Sequence, residues 1–115
     1  MLQDVVRLLI LVLLAWVVYR RFFGKISGAK ARQLVSAGAL LVDVRTPTEF
    51  ASGHVDGAKN IPVSELGTRA SELGTDHARP VVIYCASGMR SASAKGKLRK
   101  LGFAHVFDLG GMSRW

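Results

Sequence analysis

The sequence contains a single cysteine, Cys85, in 115 residues. Internal disulfide frameworks and thiolate-rich zinc or iron–sulfur sites need several sulfurs, so one cysteine excludes both. His77 and His105 have no partner at ligand spacing, and we therefore expect no metal site. The length leaves room for one small domain and excludes a multidomain enzyme. Cys85 must act alone or with a partner from outside the chain.

Acidic residues are also few: Asp and Glu number 8 against 16 Lys and Arg, which gives a net charge of +8. A basic surplus can indicate nucleic-acid binding. The main basic run has no interleaved aromatic residue, however, and consists of Arg90, Lys95, Lys97, Arg99 and Lys100. We therefore predict no nucleic-acid partner, and expect either a solvated helix face or attraction to anionic donors and lipid headgroups.

Charge is absent from residues 8–19, LLILVLLAWVVY, which are apolar around the whole circumference of a helix. An amphipathic surface helix needs one polar face, so this run predicts insertion into a membrane. As a helix, Leu2–Phe23 spans about 33 Å, enough for the hydrocarbon core of a bilayer if Arg7 snorkels to the surface.

A cleaved signal peptide is the alternative, because the apolar run has the length of a signal-peptide core. Two arginines and two phenylalanines follow the run, where a signal peptide has a cleavage site of small residues. We therefore expect an uncleaved transmembrane anchor with its basic flank at residues 1–25, and a folded domain at residues 26–115.

The flanks of this run predict its orientation. Aromatic residues that favour the headgroup boundary cluster toward its C-terminal end: Trp16, Tyr19, Phe22 and Phe23. Five basic residues follow between Arg20 and Arg32. The positive-inside rule then places the domain in the cytoplasm, on a single-pass anchor of the bacterial inner-membrane type. A lone reduced thiol suits that compartment.

Beyond the anchor, short apolar runs alternate with helical segments. The predicted helices cover residues 27–37, 46–53, 64–73 and 90–101, and the predicted strands cover residues 40–44, 58–61, 81–85 and 106–109. We expect Gly110 and Gly111 to end the last strand. The alternation predicts an α/β fold in which helices flank a parallel sheet, with functional groups at the carboxyl ends of the strands.

Cys85 ends the most apolar of these strands and is followed by a glycine-containing loop that leads into a helix. Backbone N–H groups and a helix N-terminus can therefore converge on its sulfur. Such surroundings, with the charge of Arg90, lower a thiol pKa and favour the reactive thiolate. The alternative is that Cys85 is a buried small apolar residue, and position alone leaves both interpretations open.

Three stretches together resemble the rhodanese domain, the single-domain sulfurtransferase family. They are LVDVRTPTEFASGHVDGAKNIP at residues 41–62, VVIYCASGMRS at residues 81–91 and LGFAHVFDLGGMSRW at residues 101–115. They contain D-V-R, G-H-V-x-G-A-x-N-I-P, C-x-x-G-x-R-S and G-G-x-x-x-W in the order of the family. The resemblance covers nearly all of residues 26–115.

The resemblance implies a rhodanese-like α/β fold and persulfide chemistry without a metal or organic cofactor. Cys85 would attack the outer sulfur of a small anionic donor such as thiosulfate, and sulfite would leave. The persulfide would then pass its outer sulfur to cyanide or to a thiol or protein acceptor. The implied substrate-binding residues form the loop after the nucleophile: Ala86, Ser87, Gly88, Met89 and Arg90.

Arg90 is expected to bind the anionic donor and lower the pKa of Cys85, unless it makes only a structural salt bridge. Asp43, Arg45 and Glu49 match supporting positions, and we expect them to hold the loop through charge-assisted hydrogen bonds. His54 matches the histidine of G-H-V, where a structural hydrogen bond is the expectation.

Two other functions compete with sulfur transfer. Cysteine phosphatases place five residues between cysteine and arginine, whereas four separate Cys85 from Arg90, which favours a site for one sulfur atom. A membrane-tethered persulfide carrier or docking module without efficient turnover is the alternative outside the enzymes. Because one cysteine cannot resolve its own persulfide as a disulfide, the acceptor must come from outside in either case.

Overall fold

The computed structural model describes the backbone of residues 1–115 and the side chains outside residues 21–23. The α-helices are α1 (Leu2–Phe23), α2 (Gly28–Ser36), α3 (Pro47–Ala51), α4 (Leu66–Arg69) and α5 (Met89–Lys100). The strands are β1 (Leu40–Asp43), β2 (Lys59–Asn60), β3 (Val81–Cys85) and β4 (Val106–Gly111). They form one sheet of order β2-β1-β3-β4 in which every pairing is parallel. The predicted α/β architecture is confirmed.

Strand β3 lies in the centre of the sheet, and all five of its residues are buried. Its side chains alternate between two apolar layers, because successive residues of a strand point to opposite faces. Val81, Ile83 and Cys85 pack in the layer that also contains Ala94 and Leu98 of α5. Burying one such aliphatic side chain stabilises the folded state by about 1.5–3 kcal/mol. The cysteine is therefore held at the edge of the main core.

The opposite layer of the sheet is covered by α2, whose start was correctly predicted. Ser27 accepts a hydrogen bond from the N–H of Lys30 and caps the helix. Ala31 of α2 is fully buried against Val82 and Tyr84 of β3. Both faces of β3 are therefore covered by a helix, which gives the site at its carboxyl end a rigid base.

The last strand differs from its prediction. β4 continues through Gly110 and Gly111 instead of ending before them. The pairing with β3 shifts between Ile83 and Tyr84, so that Tyr84 faces Gly110 and leaves Leu109 as the extra residue of a bulge. Gly110 has a positive φ of 89°, a conformation that glycine adopts without strain, and its N–H donates to a carboxylate oxygen of Asp108. The glycines therefore bend the strand rather than end it.

The predicted helix at residues 64–73 is also different in the structure. It consists of the 3₁₀ turn Val63–Glu65, the short helix α4 and the 3₁₀ turn Ala70–Leu73. Gly67 lies inside this stretch, and glycine costs a helix about 1 kcal/mol relative to alanine. Leu66 and Leu73 nevertheless pack into the main core.

Helix α1 has the predicted bounds, and its apolar side chains from Leu2 to Tyr19 are exposed. Leu2–Arg20 is long and apolar enough to cross a membrane, a test that a signal sequence near the N-terminus would also pass. Arg20 lies 5.0 Å from the ring centroid of Trp16, and Arg7 lies 3.8 Å from Asp4. The predicted boundary positions of the Phe22 and Phe23 rings fall outside the described side chains.

The chain after α1 joins the sheet directly. Lys25 forms an isolated parallel bridge with Asp108, and the N–H of Ile26 donates to the Asp108 carbonyl at 2.8 Å. The ammonium of Lys95 in α5 lies 3.5 Å from the carbonyl of Gly24. These contacts fix the end of α1 beside β4 and α5.

Candidate active site

The site forms where β3 ends and α5 begins. Cys85 has no exposed surface. Gly88 adopts a positive φ of 104°, which turns its backbone so that its N–H donates to the Cys85 sulfur at 2.9 Å. Helix α5 starts at the next residue, so its unpaired N-terminal N–H groups face the same region. The predicted convergence of backbone donors on the sulfur is present.

The pKa of Cys85 reflects two opposed effects. Burial has the largest single effect and raises the pKa. The hydroxyl of Ser91 and the backbone N–H groups of Ser91, Gly88 and Ser87 lower it. Together these donors outweigh burial, so the pKa of the Cys85 thiol lies below its ordinary value. The geometry therefore favours a thiolate although the sulfur is shielded from solvent.

Ser91 is fully buried on the first turn of α5, where its hydroxyl lies 3.0 Å from the Gly88 carbonyl oxygen. The hydroxyl has one proton, which can point either to that carbonyl or to the Cys85 sulfur. A thiolate accepts a hydrogen bond more strongly than a thiol, so ionisation of Cys85 turns the proton toward the sulfur. Ser91 is thus a switchable donor next to the nucleophile.

Arg90 makes a two-point ion pair with Glu49 of α3, at 2.6 and 2.9 Å. Hydrogen bonds from Arg90 and from the Thr46 N–H lower the pKa of Glu49 to about 2. The bond to Glu49 in turn raises the pKa of Arg90. The pair occupies two of the five guanidinium N–H groups, and Arg90 is 35% exposed, so three donors remain for an anion.

Glu49 is positioned by a capping box at the start of α3. The Thr46 hydroxyl accepts from the Glu49 N–H, and a Glu49 carboxylate oxygen accepts from the Thr46 N–H. The sequence T-P-T-E predicts this arrangement, which fixes the carboxylate that holds Arg90.

Asp43 and Arg45 are buried beside the site, at the end of β1. The Asp43 carboxylate accepts from Arg45 at 2.6 to 3.0 Å. Arg45 also donates to the Gly53 carbonyl at 2.7 Å and lies 5.7 Å from the Tyr84 ring centroid. These bonds hold the segment around Gly53, whereas the bonds of Glu49 reach the loop itself through Arg90.

The remaining predicted residues lie at the outer surface of the loop. Ala86 and Ser87 are exposed, and Met89 is 82% exposed.

The His54 ring stacks on Phe50, and its Nδ1 lies 2.9 Å from the Phe50 carbonyl oxygen, which is the expected structural hydrogen bond. Among the side chains outside residues 21–23, no group of three His, Cys, Asp or Glu residues is arranged to hold a metal ion.

Two residues of the site were not assigned a role from sequence. Ser91 is the last residue of the C-x-x-G-x-R-S motif, and the position of its hydroxyl on the first turn of the helix after a nucleophile could have indicated its role.

The sequence predicts Tyr84 only as a strand residue, yet its hydroxyl accepts a hydrogen bond from the Val55 N–H at 3.1 Å. Burial is the main cause that raises the pKa of Tyr84, to about 12. No sequence pattern indicates the hydrogen bond between Val55 and Tyr84, because the two residues lie 29 positions apart in the chain.

Comparisons with known proteins identify the family of this chain. The family model of the rhodanese-like domain matches residues 27–115. The uncharacterized protein YqhL of Bacillus subtilis is 46% identical over 78 residues, which are 67% of this chain and 60% of YqhL, less than two thirds of its length. The thiosulfate sulfurtransferase GlpE of Stutzerimonas stutzeri is 34% identical over 94 residues, 81% of this chain and 84% of GlpE.

Among solved structures, the human single-domain sulfurtransferase TSTD1 is similar with a TM-score of 0.66 and 29% sequence identity. The similarity covers 79% of this chain and 90% of TSTD1. The parallel sheet, the loop around Cys85 and the match over residues 27–115 lead to one conclusion. This chain belongs to the rhodanese-like family.

Proposed function

We propose that this protein is a membrane-anchored sulfurtransferase that moves sulfane sulfur from a donor such as thiosulfate to a thiol or cyanide acceptor. The observation that supports this most directly is the 2.9 Å hydrogen bond from the Gly88 N–H to the buried Cys85 sulfur. A relative named thiosulfate sulfurtransferase, similar over 81% of the chain, supports the same chemistry.

In the first half-reaction the Cys85 thiolate attacks the outer sulfur of thiosulfate. A bond forms between the two sulfurs, and the bond within thiosulfate breaks, with its electron pair leaving on sulfite. In the second half-reaction a thiolate or cyanide attacks the outer sulfur of the persulfide, and the Cys85 thiolate leaves. Each step is a two-electron displacement, so no outside oxidant is needed, and the kinetics are ping-pong.

The loop stabilises the anionic sulfur in every state of this cycle. The N–H groups of Ser87, Gly88 and Ser91 are fixed before the reaction, so no reorganisation is needed as charge moves between the sulfurs. We assign the free guanidinium donors of Arg90 to the anionic donor. Glu49 holds Arg90 in place, and the Asp43 and Arg45 pair supports the neighbouring wall.

The first prediction concerns the nucleophile. Cys85→Ser should abolish sulfur transfer from thiosulfate to cyanide, because Cys85 is the only thiol of the chain and a serine hydroxyl forms no persulfide. Intact mass after incubation with thiosulfate should show one added sulfur atom in the wild type and none in the variant. Circular dichroism of the variant checks that the fold is retained.

Retention of wild-type turnover by Cys85→Ser would refute the mechanism. A wild-type persulfide that forms readily, but passes its sulfur only slowly to cyanide and small thiols, would favour the alternative, a membrane-tethered persulfide carrier whose partner completes the transfer.

The second prediction concerns Ser91. Ser91→Ala removes the hydroxyl that lowers the pKa of Cys85, so the midpoint of the pH profile for Cys85 alkylation should move to higher pH. Ser93→Ala is the matched control, because Ser93 is exposed on the same helix. Equal midpoints in the two variants would show that the Ser91 hydroxyl remains bonded to the Gly88 carbonyl and does not donate a hydrogen bond to the Cys85 sulfur.

We also propose that residues 1–25 are an uncleaved anchor with a basic flank, and that residues 26–115 form a cytoplasmic rhodanese domain. The support is the exposure of the apolar side chains between Leu2 and Tyr19 and the excess of basic residues after them. An exposed apolar helix of this length is stable in a bilayer, where it satisfies its own backbone hydrogen bonds.

The third prediction tests this anchor. The full-length protein should stay with membranes through high-salt and carbonate washes, because hydrophobic insertion is not screened by ions. Leu11→Lys at the centre of α1 should reduce insertion strongly, whereas Leu2→Lys at its end should have little effect. A reporter fused after Trp115 should behave as cytoplasmic. A mature chain without its first two dozen residues, or a periplasmic reporter, would contradict the placement.

A further inference from the structure

Lys25, the second residue after α1, extends its side chain to the active-site loop. Its backbone is fixed by the bridge to Asp108, and its exposed side chain lies over Gly110. A Cβ atom placed on Gly110 would lie 3.0 Å from Lys25 Cδ, and one placed on Gly88 would lie 2.7 Å from Lys25 Nζ. The ammonium group therefore contacts the glycine that donates to the Cys85 sulfur.

These contacts limit the distance between the ammonium and the sulfur. Gly88 N lies 2.9 Å from Cys85 Sγ, and the Cβ position of the same residue lies 2.7 Å from Lys25 Nζ. With ordinary bond lengths between N and Cβ, the charge is at most roughly 8 Å from the sulfur. A cation at that separation stabilises the Cys85 thiolate relative to the thiol and so favours a lower pKa.

The other cations around the site have partners of their own. Arg90 of α5 is paired with Glu49 of α3, and Arg45 with Asp43 of β1. Lys95 of α5 interacts electrostatically with Asp108 of β4. The guanidinium of Arg114, which follows β4, donates to the carbonyls of Leu109 and Ile26.

Lys25 differs from them. Among the side chains outside residues 21–23, no carboxylate lies within ion-pair distance of its ammonium. Its charge is therefore not neutralised by any of these carboxylates, although solvent screens it because Lys25 is exposed.

We propose that Lys25 is a positioning residue of the sulfur-transfer site: its ammonium, held against Gly88, supports the anionic sulfur of Cys85 through the loop. This inference rests on the proposed function of Cys85. It makes Lys25, the second residue after α1, a part of the reaction site, since its backbone is joined to β4 and its side chain ends at the loop. Removal or displacement of the end of α1 would therefore change the reactivity of the cysteine.

The fourth prediction uses the full-length protein in detergent micelles. Lys25→Met keeps the aliphatic packing over Gly110 but removes the charge. The midpoint of the pH profile for Cys85 alkylation by iodoacetamide should move to higher pH, because loss of a nearby cation disfavours the thiolate. Lys25→Arg should restore the wild-type midpoint. Lys30→Met, at an exposed lysine of α2, is the matched control and should leave the midpoint unchanged.

An unchanged midpoint in both Lys25→Met and Lys25→Gln would overturn the inference. So would an equal rise in Lys25→Met and Lys25→Arg, because that result would indicate packing rather than charge. Alkylation needs no sulfur donor, so this outcome is separate from a failure of the proposed function, which would appear as absence of a thiosulfate-derived persulfide in the wild type. If Lys25→Met does not fold, Lys25→Gln and Lys25→Arg together decide between charge and packing.

Discussion

Burial of the Cys85 sulfur opposes its ionisation, and the hydrogen-bond donors of the loop must compensate for that burial. Three features have to coincide for this: β3 ends at the cysteine, Gly88 takes a left-handed conformation, and α5 starts immediately afterwards. The donors are then fixed by the backbone rather than by flexible side chains. A side chain at Gly88 would strain its left-handed backbone, so the loop depends on glycine at this position.

The surrounding elements keep that loop in place from three sides. The bulge in β4 lets Gly111 pair with Cys85 itself, and a Cβ on Gly111 would lie only 2.8 Å from the Ala86 carbonyl oxygen. On the opposite side, the capping box of α3 directs Glu49 toward Arg90. From the end of α1, Lys25 reaches the loop across Gly110. The sheet, the short helix α3 and the segment after α1 therefore all contact the loop that follows Cys85.

Most of the fold follows from local patterns in the sequence. Apolar runs predict the strands, and Ser27 and the T-P-T-E sequence predict the starts of two helices, because those signals act within a few residues. The bulge at Gly110 was not predicted, because the same two glycines also occur where strands end. The contacts of Tyr84 with Val55 and of Lys25 with Gly88 join residues far apart in sequence, and no local pattern encodes them. The C-x-x-G-x-R-S motif identifies Cys85 and Arg90. The ion pair between Arg90 and Glu49 joins residues 41 positions apart, so the structure is needed to identify it.

The loop donors outweigh burial and lower the pKa of the Cys85 thiol. A pH titration of thiolate ultraviolet absorbance tests this claim most directly, since the chain has one cysteine and Cys85→Ser supplies the background from tyrosine. Our account predicts a midpoint below the ordinary thiol value of about 8.5. A midpoint at or above that value would show that burial dominates, and it would contradict the assignment of Cys85 as a nucleophile activated by its loop.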